Sequence, residues 1–204
     1  MPQGVPANVP DDGLTTRQRR NRPLTIVHTG ENKGKSTAAF GLGLRGWNQG
    51  WNVAVFQFVK SAKWKVGEET AYLALGKLHE ETGVGGPVQW NKMGDGWSWS
   101  RKKGDDEDHA QVARDGWAEI KRRILAEEHD LYILDEFAYP VKWGWISATE
   151  VAEFLRDRPG HQHVVITGRD VAPEIIEVAD LVTEMTKIKH PMDAGQKGQR
   201  GIEW

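Results

Sequence analysis

The sequence predicts an α/β fold, in which a mostly parallel sheet of about six strands carries helices on both faces. Two observations support this class. Apolar segments of strand length alternate with segments of helical periodicity along the chain, and strands that alternate with helices form parallel sheets because each helix returns the chain across one face. A glycine-rich turn also joins the first apolar segment directly to the first helical one.

The first strand and its turn have the composition of a phosphate-binding loop. Residues 24–27 are mostly apolar, Gly30 and Gly34 bracket the turn, and a helical pattern begins at Lys35. Glycines let several backbone amides converge on one point, where the helix N-terminus adds the positive end of its dipole. The Lys35 ammonium supplies a mobile cation, and the Ser36 hydroxyl is a candidate Mg²⁺ ligand.

This loop departs from the usual motif. Only Glu31, Asn32 and Lys33 separate its two glycines, where the motif has four residues. Glu31 brings a negative charge near the expected phosphate oxygens, and it either points outward or binds a cation. We expect Asn32 to preserve the turn because asparagine tolerates positive φ. The alternative is a lysine-containing turn without a nucleotide, which the strand and helix on either side disfavour.

The remaining elements follow from the same periodicities. After the helix that begins at Lys35 and ends near residues 48–50, strands are expected at residues 53–59, 88–90, 131–134, 163–167 and 181–185, and helices at residues 68–78, 105–128 and 173–179. A further helix is expected after a capping box at Ser147–Glu150. Gln57 and Lys60 come near the carboxyl end of their strand, where open parallel sheets place their ligands.

Acidic and basic side chains follow two of these strands. Asp135 and Glu136 end an apolar strand about a hundred residues after the phosphate loop, and an acid in this position holds Mg²⁺ directly or through water. Arg169 follows the strand at residues 163–167 and is a candidate phosphate contact. The sequence therefore predicts a nucleotide site at the carboxyl edge of the sheet.

Composition limits the class of protein. The chain has 204 residues, 38% of them hydrophobic, a formal net charge of −2 and no cysteine. The length and the hydrophobic content are sufficient for one sizeable core. The small net charge gives no general attraction to nucleic acid or anionic membranes, and the lack of cysteine excludes disulfides. No apolar run approaches spanning length. We expect a cytoplasmic protein that binds neither nucleic acid nor membrane.

The sequence predicts two regions, a tail over residues 1–22 and a single nucleotide-binding domain over residues 23–204. The tail is rich in proline and arginine and poor in apolar side chains, which is typical of disorder. Residues 15–22 have a second interpretation as a short helix that covers the active site or docks on a neighbouring subunit. The sequence leaves both interpretations open.

An aromatic pair, Trp97 and Trp99, lies in the glycine-rich segment of residues 76–104. Residues two apart point to the same side of an extended chain. The pair either forms a wall over a flat apolar ligand or packs onto the core, and the residues alone do not decide between these interpretations.

The two acids fit two kinds of chemistry. In ATP hydrolysis Glu136 would polarise water, whereas in a transfer reaction the acids would only hold the metal. The absence of an identifiable base motif or arginine finger, and the aromatic character of the loop, favour transfer. The alternative is a RecA-like ATPase or nucleotide switch that binds a protein partner through this loop.

Several blocks resemble one family. The run TGENKGKSTAAFG at residues 29–41 is similar to the shortened phosphate loop of the ATP:corrinoid adenosyltransferases, TGNGKGKTTAAFG. Matching blocks follow in order: FQFVK at 56–60, LDE at 134–136, RPGH at 158–161, ITGR at 166–169, AD at 179–180, KH at 189–190 and DAG at 193–195. The resemblance covers roughly residues 24–203.

The resemblance implies a RecA-like domain that works as a homodimer. In the reaction that it implies, the cobalt(I) of a corrinoid attacks the ribose 5′ carbon of ATP and triphosphate leaves. Lys35 and Glu136 are implied as catalytic residues. The implied partners are ATP, the corrinoid substrate and an electron-donating flavoprotein reductase.

The resemblance also implies a set of contacts for each ligand. The expected ATP contacts are Gly30, Asn32, Lys33, Gly34, Lys35, Ser36, Thr37, Arg45 and Arg169. The expected contacts of the Mg²⁺ that accompanies ATP are Ser36, Asp135 and Glu136. Trp97 and Trp99 align with a Phe-Thr-Trp element that packs against the corrin and keeps the lower axial ligand off cobalt, although Trp97 stands in place of the phenylalanine.

Overall fold

A computed structural model describes residues 13–59, 67–93 and 106–202 of the chain. Its six strands form one sheet in the order β3-β2-β4-β5-β1-β6, and all neighbouring pairs are parallel. The strands are β1 (Thr25–Thr29), β2 (Val53–Gln57), β3 (Val88–Lys92), β4 (Leu131–Asp135), β5 (His163–Thr167) and β6 (Leu181–Glu184). The predicted α/β class is confirmed.

Helices cover both faces of the sheet. They are α1 (Thr16–Arg20), α2 (Lys35–Asn48), α3 (Gly67–Thr82), α4 (Asp106–Leu125), α5 (Ala138–Lys142), α6 (Ala148–Asp157) and α7 (Pro173–Val178), with a short 3₁₀ helix at Pro191–Ala194. Sequence periodicity predicted all of the longer ones. It missed α5, a single turn that contains Pro140 and therefore has no helical signature.

The sheet separates two apolar clusters. On one face, Trp47 of α2 and Tyr72 of α3 pack against the strands. On the other face, Trp117, Ile120 and Ile124 of α4 pack with residues of α6 and α7. Strands β2 and β4 are buried at every residue because helices cover them on both sides, which explains their continuous apolar runs.

The start of α6 differs from the predicted capping box. The Ser147 hydroxyl accepts a hydrogen bond from the Glu150 amide at 3.3 Å, as expected. The Glu150 carboxylate, however, turns to α4, where it accepts from Trp117 Nε1 at 3.2 Å and from the Lys121 ammonium. A partner on another helix has therefore replaced the reciprocal half of the box, and Glu150 joins α6 to α4.

The segment before the sheet contains the short helix α1. Its N-terminus has a reciprocal capping box between Thr15 and Gln18, and none of its residues is buried. The carbonyl oxygen of Asn21 lies 3.1 Å from His161 Nδ1, at the amino end of the sheet. A short helix is therefore present within residues 15–22, while its role as a cover of the active site or a contact with a neighbouring subunit stays a prediction.

Three residues singled out in the sequence, Lys60, Trp97 and Trp99, lie outside the described residues. Among the helices that are described, none combines the length and the apolar character needed to cross a bilayer.

Candidate active site

The turn after β1 is shaped by its two glycines. Gly30 has φ of 95° and Gly34 has φ of 107°, both in the left-handed region. A Cβ at Gly30 would lie 2.7 Å from the backbone nitrogen and oxygen of Met185, so this position also requires the absence of a side chain. Asn32 is not among the described residues with positive φ. The expectation that Asn32 preserves the turn through positive φ was wrong, because the glycines take both left-handed positions.

Lys35 begins α2 and folds back over the loop. Its side chain is almost fully buried, and Nζ donates to the carbonyl oxygens of Gly30 at 2.7 Å and Asn32 at 2.5 Å. Burial lowers the pKa of the Lys35 ammonium, while the negative charges of Glu136 and Glu31 oppose that shift. The ammonium therefore lies at the centre of the loop, partly stripped of water, where a phosphate oxygen could replace a carbonyl.

Asp135 is fixed by side chains from both neighbouring strands. It is fully buried at the end of β4. One carboxylate oxygen accepts from the Thr167 hydroxyl of β5 at 2.9 Å, and the other accepts from Gln57 Nε2 of β2 at 3.0 Å. The same Thr167 oxygen accepts from the backbone amide of Glu136 at 3.0 Å. This network fixes the strand end from which Glu136 projects.

Glu136 has an unusual backbone. Its φ is 61°, a left-handed conformation that few non-glycine residues adopt. Backbone conformations of this kind persist where surrounding contacts enforce them, and they concentrate at functional sites. The hydrogen bond from the Glu136 amide to Thr167 is one such contact. The half-buried Glu136 carboxylate and the half-buried Ser36 hydroxyl are oxygen donors of the kind that Mg²⁺ prefers.

Glu31 has a partner across the loop. Its carboxylate lies 3.6 Å from the Arg169 guanidinium, and both side chains are about half exposed. The next residue, Asp170, pairs with Lys142 of α5, and this pairing holds the pKa of the Asp170 carboxyl below its usual range. Glu31 therefore points outward, toward a cation supplied by the protein itself.

The structure brings most of the expected nucleotide contacts to one edge of the sheet, with Arg45 as the exception. Gly30, Gly34, Lys35, Ser36 and Thr37 belong to the turn and to the first turn of α2. Arg45 is exposed and lies ten residues beyond Lys35, which is about 15 Å along a helix. It is not brought to the phosphate loop within one chain.

An apolar hollow that the sequence did not predict lies beside this edge. It is lined by Phe58, Val59, Met93, His109, Val112, Ala113, Pro140 and Trp145. These residues follow β2, β3 and β4 or lie on α4, so the hollow opens on the α4 face of the sheet. The available signal was the apolar Phe58-Val59 pair after β2, which looked like a continuation of the strand. Val59 instead has φ of 69° and turns away.

A stack of aromatic side chains continues from the hollow. Tyr139 stacks on Trp143 with ring centroids 5.2 Å apart, and Trp143 contacts Trp145 at 4.9 Å. Burial and the nearby Glu136 carboxylate raise the pKa of the Tyr139 phenol. The charged edge and the apolar hollow are therefore adjacent parts of one site.

These features define a parallel α/β protein of the phosphate-loop type, with an apolar hollow beside the carboxyl edge of its sheet. The chain belongs to the ATP:corrinoid adenosyltransferase BtuR/CobO/CobP family, whose model matches residues 21–204.

Relatives of known name agree with this assignment. The chain is 36% identical to the corrinoid adenosyltransferase CobA of Salmonella typhimurium over 95% of this chain and 91% of the relative. It is 38% identical to a corrinoid adenosyltransferase of a Sinorhizobium species over 89% and 80% of the two chains. The chain is 35% identical to a corrinoid adenosyltransferase of Pseudomonas aeruginosa, over 95% of this chain and 89% of the relative. These matches favour the adenosyltransferase over the alternative of a nucleotide switch.

Proposed function

We propose that this protein transfers the 5′-deoxyadenosyl group of ATP to the cobalt(I) of a corrinoid and releases triphosphate. Membership of the family supports the reaction. One observation supports the assignment of this reaction to particular residues. Lys35, Glu136 and Arg169 follow the carboxyl ends of β1, β4 and β5, so they lie at one edge of the sheet.

The triphosphate binds the turn between Gly30 and Gly34. Helix α2 begins at this turn and Lys35 Nζ lies over it, so phosphate oxygens would replace the carbonyls that Lys35 now contacts, beside the positive end of the helix. Lys33, Ser36, Thr37 and Arg169 surround it. In the displacement, the bond between the 5′ carbon and its oxygen breaks and negative charge grows on the triphosphate, which these groups stabilise.

The residues at this edge also suit Mg²⁺ that arrives with ATP. Ser36 and Glu136 are half-buried residues whose side chains supply oxygen atoms. Both carboxylate oxygens of Asp135 accept hydrogen bonds, from Gln57 and Thr167. We therefore assign Asp135 a role beside the ion rather than in contact with it, in which it orients Glu136 and a water bound to Mg²⁺. When bound, the ion neutralises charge on the phosphate oxygens.

The corrin lies over the apolar hollow on the α4 face, with Trp97 and Trp99 against it. Cobalt(I) is itself a strong nucleophile, so the reaction needs position rather than a general base. The protein holds the 5′ carbon in line between the triphosphate, at the β1 end, and the cobalt, on the β2 and β3 side. By excluding the lower axial ligand, Trp97 and Trp99 make reduction of cobalt(II) easier.

The proposed assembly is a cytoplasmic homodimer that receives electrons from a flavoprotein reductase. An edge strand supports the dimer, because β6 exposes Leu181 and Val182, and apolar side chains on a sheet edge are unfavourable in water. Light scattering should give twice the chain mass for the wild type. A monomer mass for the wild type would contradict the dimer, and a monomer for Val182→Lys would place the interface at β6.

The reaction is tested anaerobically with ATP, Mg²⁺ and pre-reduced cobalamin or cobinamide. We expect the absorbance of a light-sensitive cobalt–carbon bond, with one triphosphate formed for each adenosylcorrinoid. Lys35→Ala should lose both products, whereas the exposed Lys77→Ala on α3 serves as the matched control and should retain both. Release of ADP and phosphate without adenosylcorrinoid would refute the proposal.

A further inference from the structure

An arm of the chain, residues 14–23, precedes the sheet and contains α1. No residue of α1 is buried, and its last turn carries three basic side chains, Arg17, Arg19 and Arg20. The arm joins β1 at Leu24, at the amino edge of the sheet, which is the edge opposite the phosphate loop. The contacts at this junction determine how the arm is held.

Two histidines beside β5 hold the end of the arm. The backbone amide of Leu24 donates to His163 Nδ1 at 3.1 Å. His161 Nδ1 lies 3.1 Å from the carbonyl oxygen of Asn21. Asn21 and Leu24 are only three residues apart, so both imidazoles act on the same short segment.

The two hydrogen bonds require opposite states of Nδ1. A backbone amide only donates, so His163 accepts from Leu24 and its Nδ1 carries no proton. A backbone carbonyl only accepts, so His161 donates to Asn21 and its Nδ1 carries a proton. Both nitrogens of an imidazolium are donors. Protonation therefore breaks the hydrogen bond at His163 and leaves the one at His161 intact.

The surroundings of His163 favour the neutral imidazole. The ring is stacked on Trp51, with centroids 5.0 Å apart and planes at 11°. The charged and titratable groups that face it are of both signs: Arg158, His161, Asp130 and Asp180. The first two oppose protonation and the two carboxylates favour it. Burial has the largest effect and lowers the pKa of His163 below the ordinary value for histidine.

The start of β1 remains paired when the bond to His163 is lost. The carbonyl oxygen of Leu24 accepts from the Val164 amide at 2.9 Å, and the Thr25 amide donates to the Asp180 carboxylate at 2.8 Å. Neither contact involves an imidazole. A proton on His163 therefore loosens the arm without opening the sheet.

We infer that His163 is a pH-sensitive latch, which holds residues 14–23 against the amino edge of the sheet at neutral pH and releases them in mild acid. Any contact that the three arginines of α1 form then depends on pH. The latch lies at the edge opposite the phosphate loop, so it is independent of the proposed reaction.

Hydrogen exchange of the Leu24 amide, followed by NMR, tests the latch. Its protection factor, corrected for the intrinsic effect of pH on exchange, should be constant above the ordinary histidine pKa of about 6.5. Below that pH, the released state binds a proton more readily than the held state. Protection should therefore fall by up to about tenfold per pH unit until the lowered pKa of His163 is reached.

Three variants separate the latch from other titrations. His163→Asn places an amide oxygen near the position of Nδ1 and does not titrate, so Leu24 protection should stay high at every pH. His163→Phe keeps a ring against Trp51 but removes the acceptor, so protection should be low at every pH. His161→Asn is the matched control, because its amide nitrogen keeps a donor for Asn21, and it should show the pH dependence of the wild type.

Two results would overturn the inference: Leu24 protection that is independent of pH in the wild type, or the same pH dependence in His163→Asn. Exchange of the Val27 amide, inside the sheet between β5 and β6, shows whether each variant is folded. The wild type alone gives a second measurement. The NMR titration of the His163 ring should have its midpoint where Leu24 protection stops falling, and a midpoint at or above about 6.5 would also contradict the latch.

Discussion

The Glu31 carboxylate and the Arg169 guanidinium lie 3.6 Å apart across the phosphate loop. This contact accounts for a negative charge in the loop to which we assign the triphosphate. Glu31 is neutralised by a protein cation, and Arg169 is held beside the loop before the nucleotide arrives. In the proposed binding mode, the phosphate oxygens of ATP and Glu31 would compete for the same guanidinium.

Replacing Glu31 with asparagine should therefore preserve or improve ATP affinity. Exposed ion pairs contribute about 0–1 kcal/mol, so we expect an improvement of up to about fivefold in the dissociation constant measured by calorimetry. Glu107→Gln, which breaks the exposed pair with Arg114 on α4, is the matched control and should not change affinity. A large loss in Glu31→Asn would mean that Glu31 has a direct role in binding.

ATP affinity should fall at alkaline pH because of Lys35. Burial lowers the pKa of its ammonium, and bound phosphate favours the protonated form. Affinity is therefore greatest below that lowered pKa and decreases as pH rises through it, by up to about tenfold per pH unit.

The control for this prediction is Lys35→Arg, because a guanidinium stays protonated over the same range. When ATP affinity is measured across this pH range for both proteins, the affinity of Lys35→Arg should not decrease at alkaline pH, whatever its absolute value. The same pH dependence in both proteins would assign the titration to another group.

Thr167→Val should destabilise the protein and slow adenosylation. The substitution keeps the shape of the side chain but removes the hydroxyl that donates to Asp135 and accepts from the Glu136 amide. Loss of buried hydrogen bonds should lower the free energy of unfolding by about 1–3 kcal/mol in urea denaturation. Thr183→Val, at a half-buried position of the mostly exposed edge strand β6, should change it by much less. Equal effects of the two substitutions would contradict the role of the network.

Trp99→Ala should slow turnover with a cobalt(II) corrinoid and reductant more than turnover with pre-reduced cobalt(I). The expectation follows from the proposed exclusion of the axial ligand, which matters for reduction and not for the attack on ATP. Rates are compared anaerobically from the absorbance of the cobalt–carbon bond, with Trp51→Phe, which lies at the amino end of the sheet, as the control. Equal losses on both substrates would exclude an axial-ligand role.

Local sequence patterns determined the order of strands and helices in this protein, together with the positions of the phosphate loop and the two acids. Residues 131–136 illustrate why: a continuous apolar run of strand length is typical of a strand that is buried on both faces of a parallel sheet. Resemblance to one family then supplied the chemistry, because ten of the thirteen positions at residues 29–41 match the family's loop.

The tertiary structure decided which side chains meet. Gln57 and Asp135 are 78 residues apart in sequence, and Glu31 and Arg169 lie on loops after different strands. Such contacts depend on the order of strands in the sheet, which periodicity does not encode. The left-handed backbone of Glu136, the apolar hollow after Phe58 and the partner of Glu150 on α4 have the same origin. In each case a contact with a residue distant in sequence determines the conformation, and local sequence patterns do not predict such contacts.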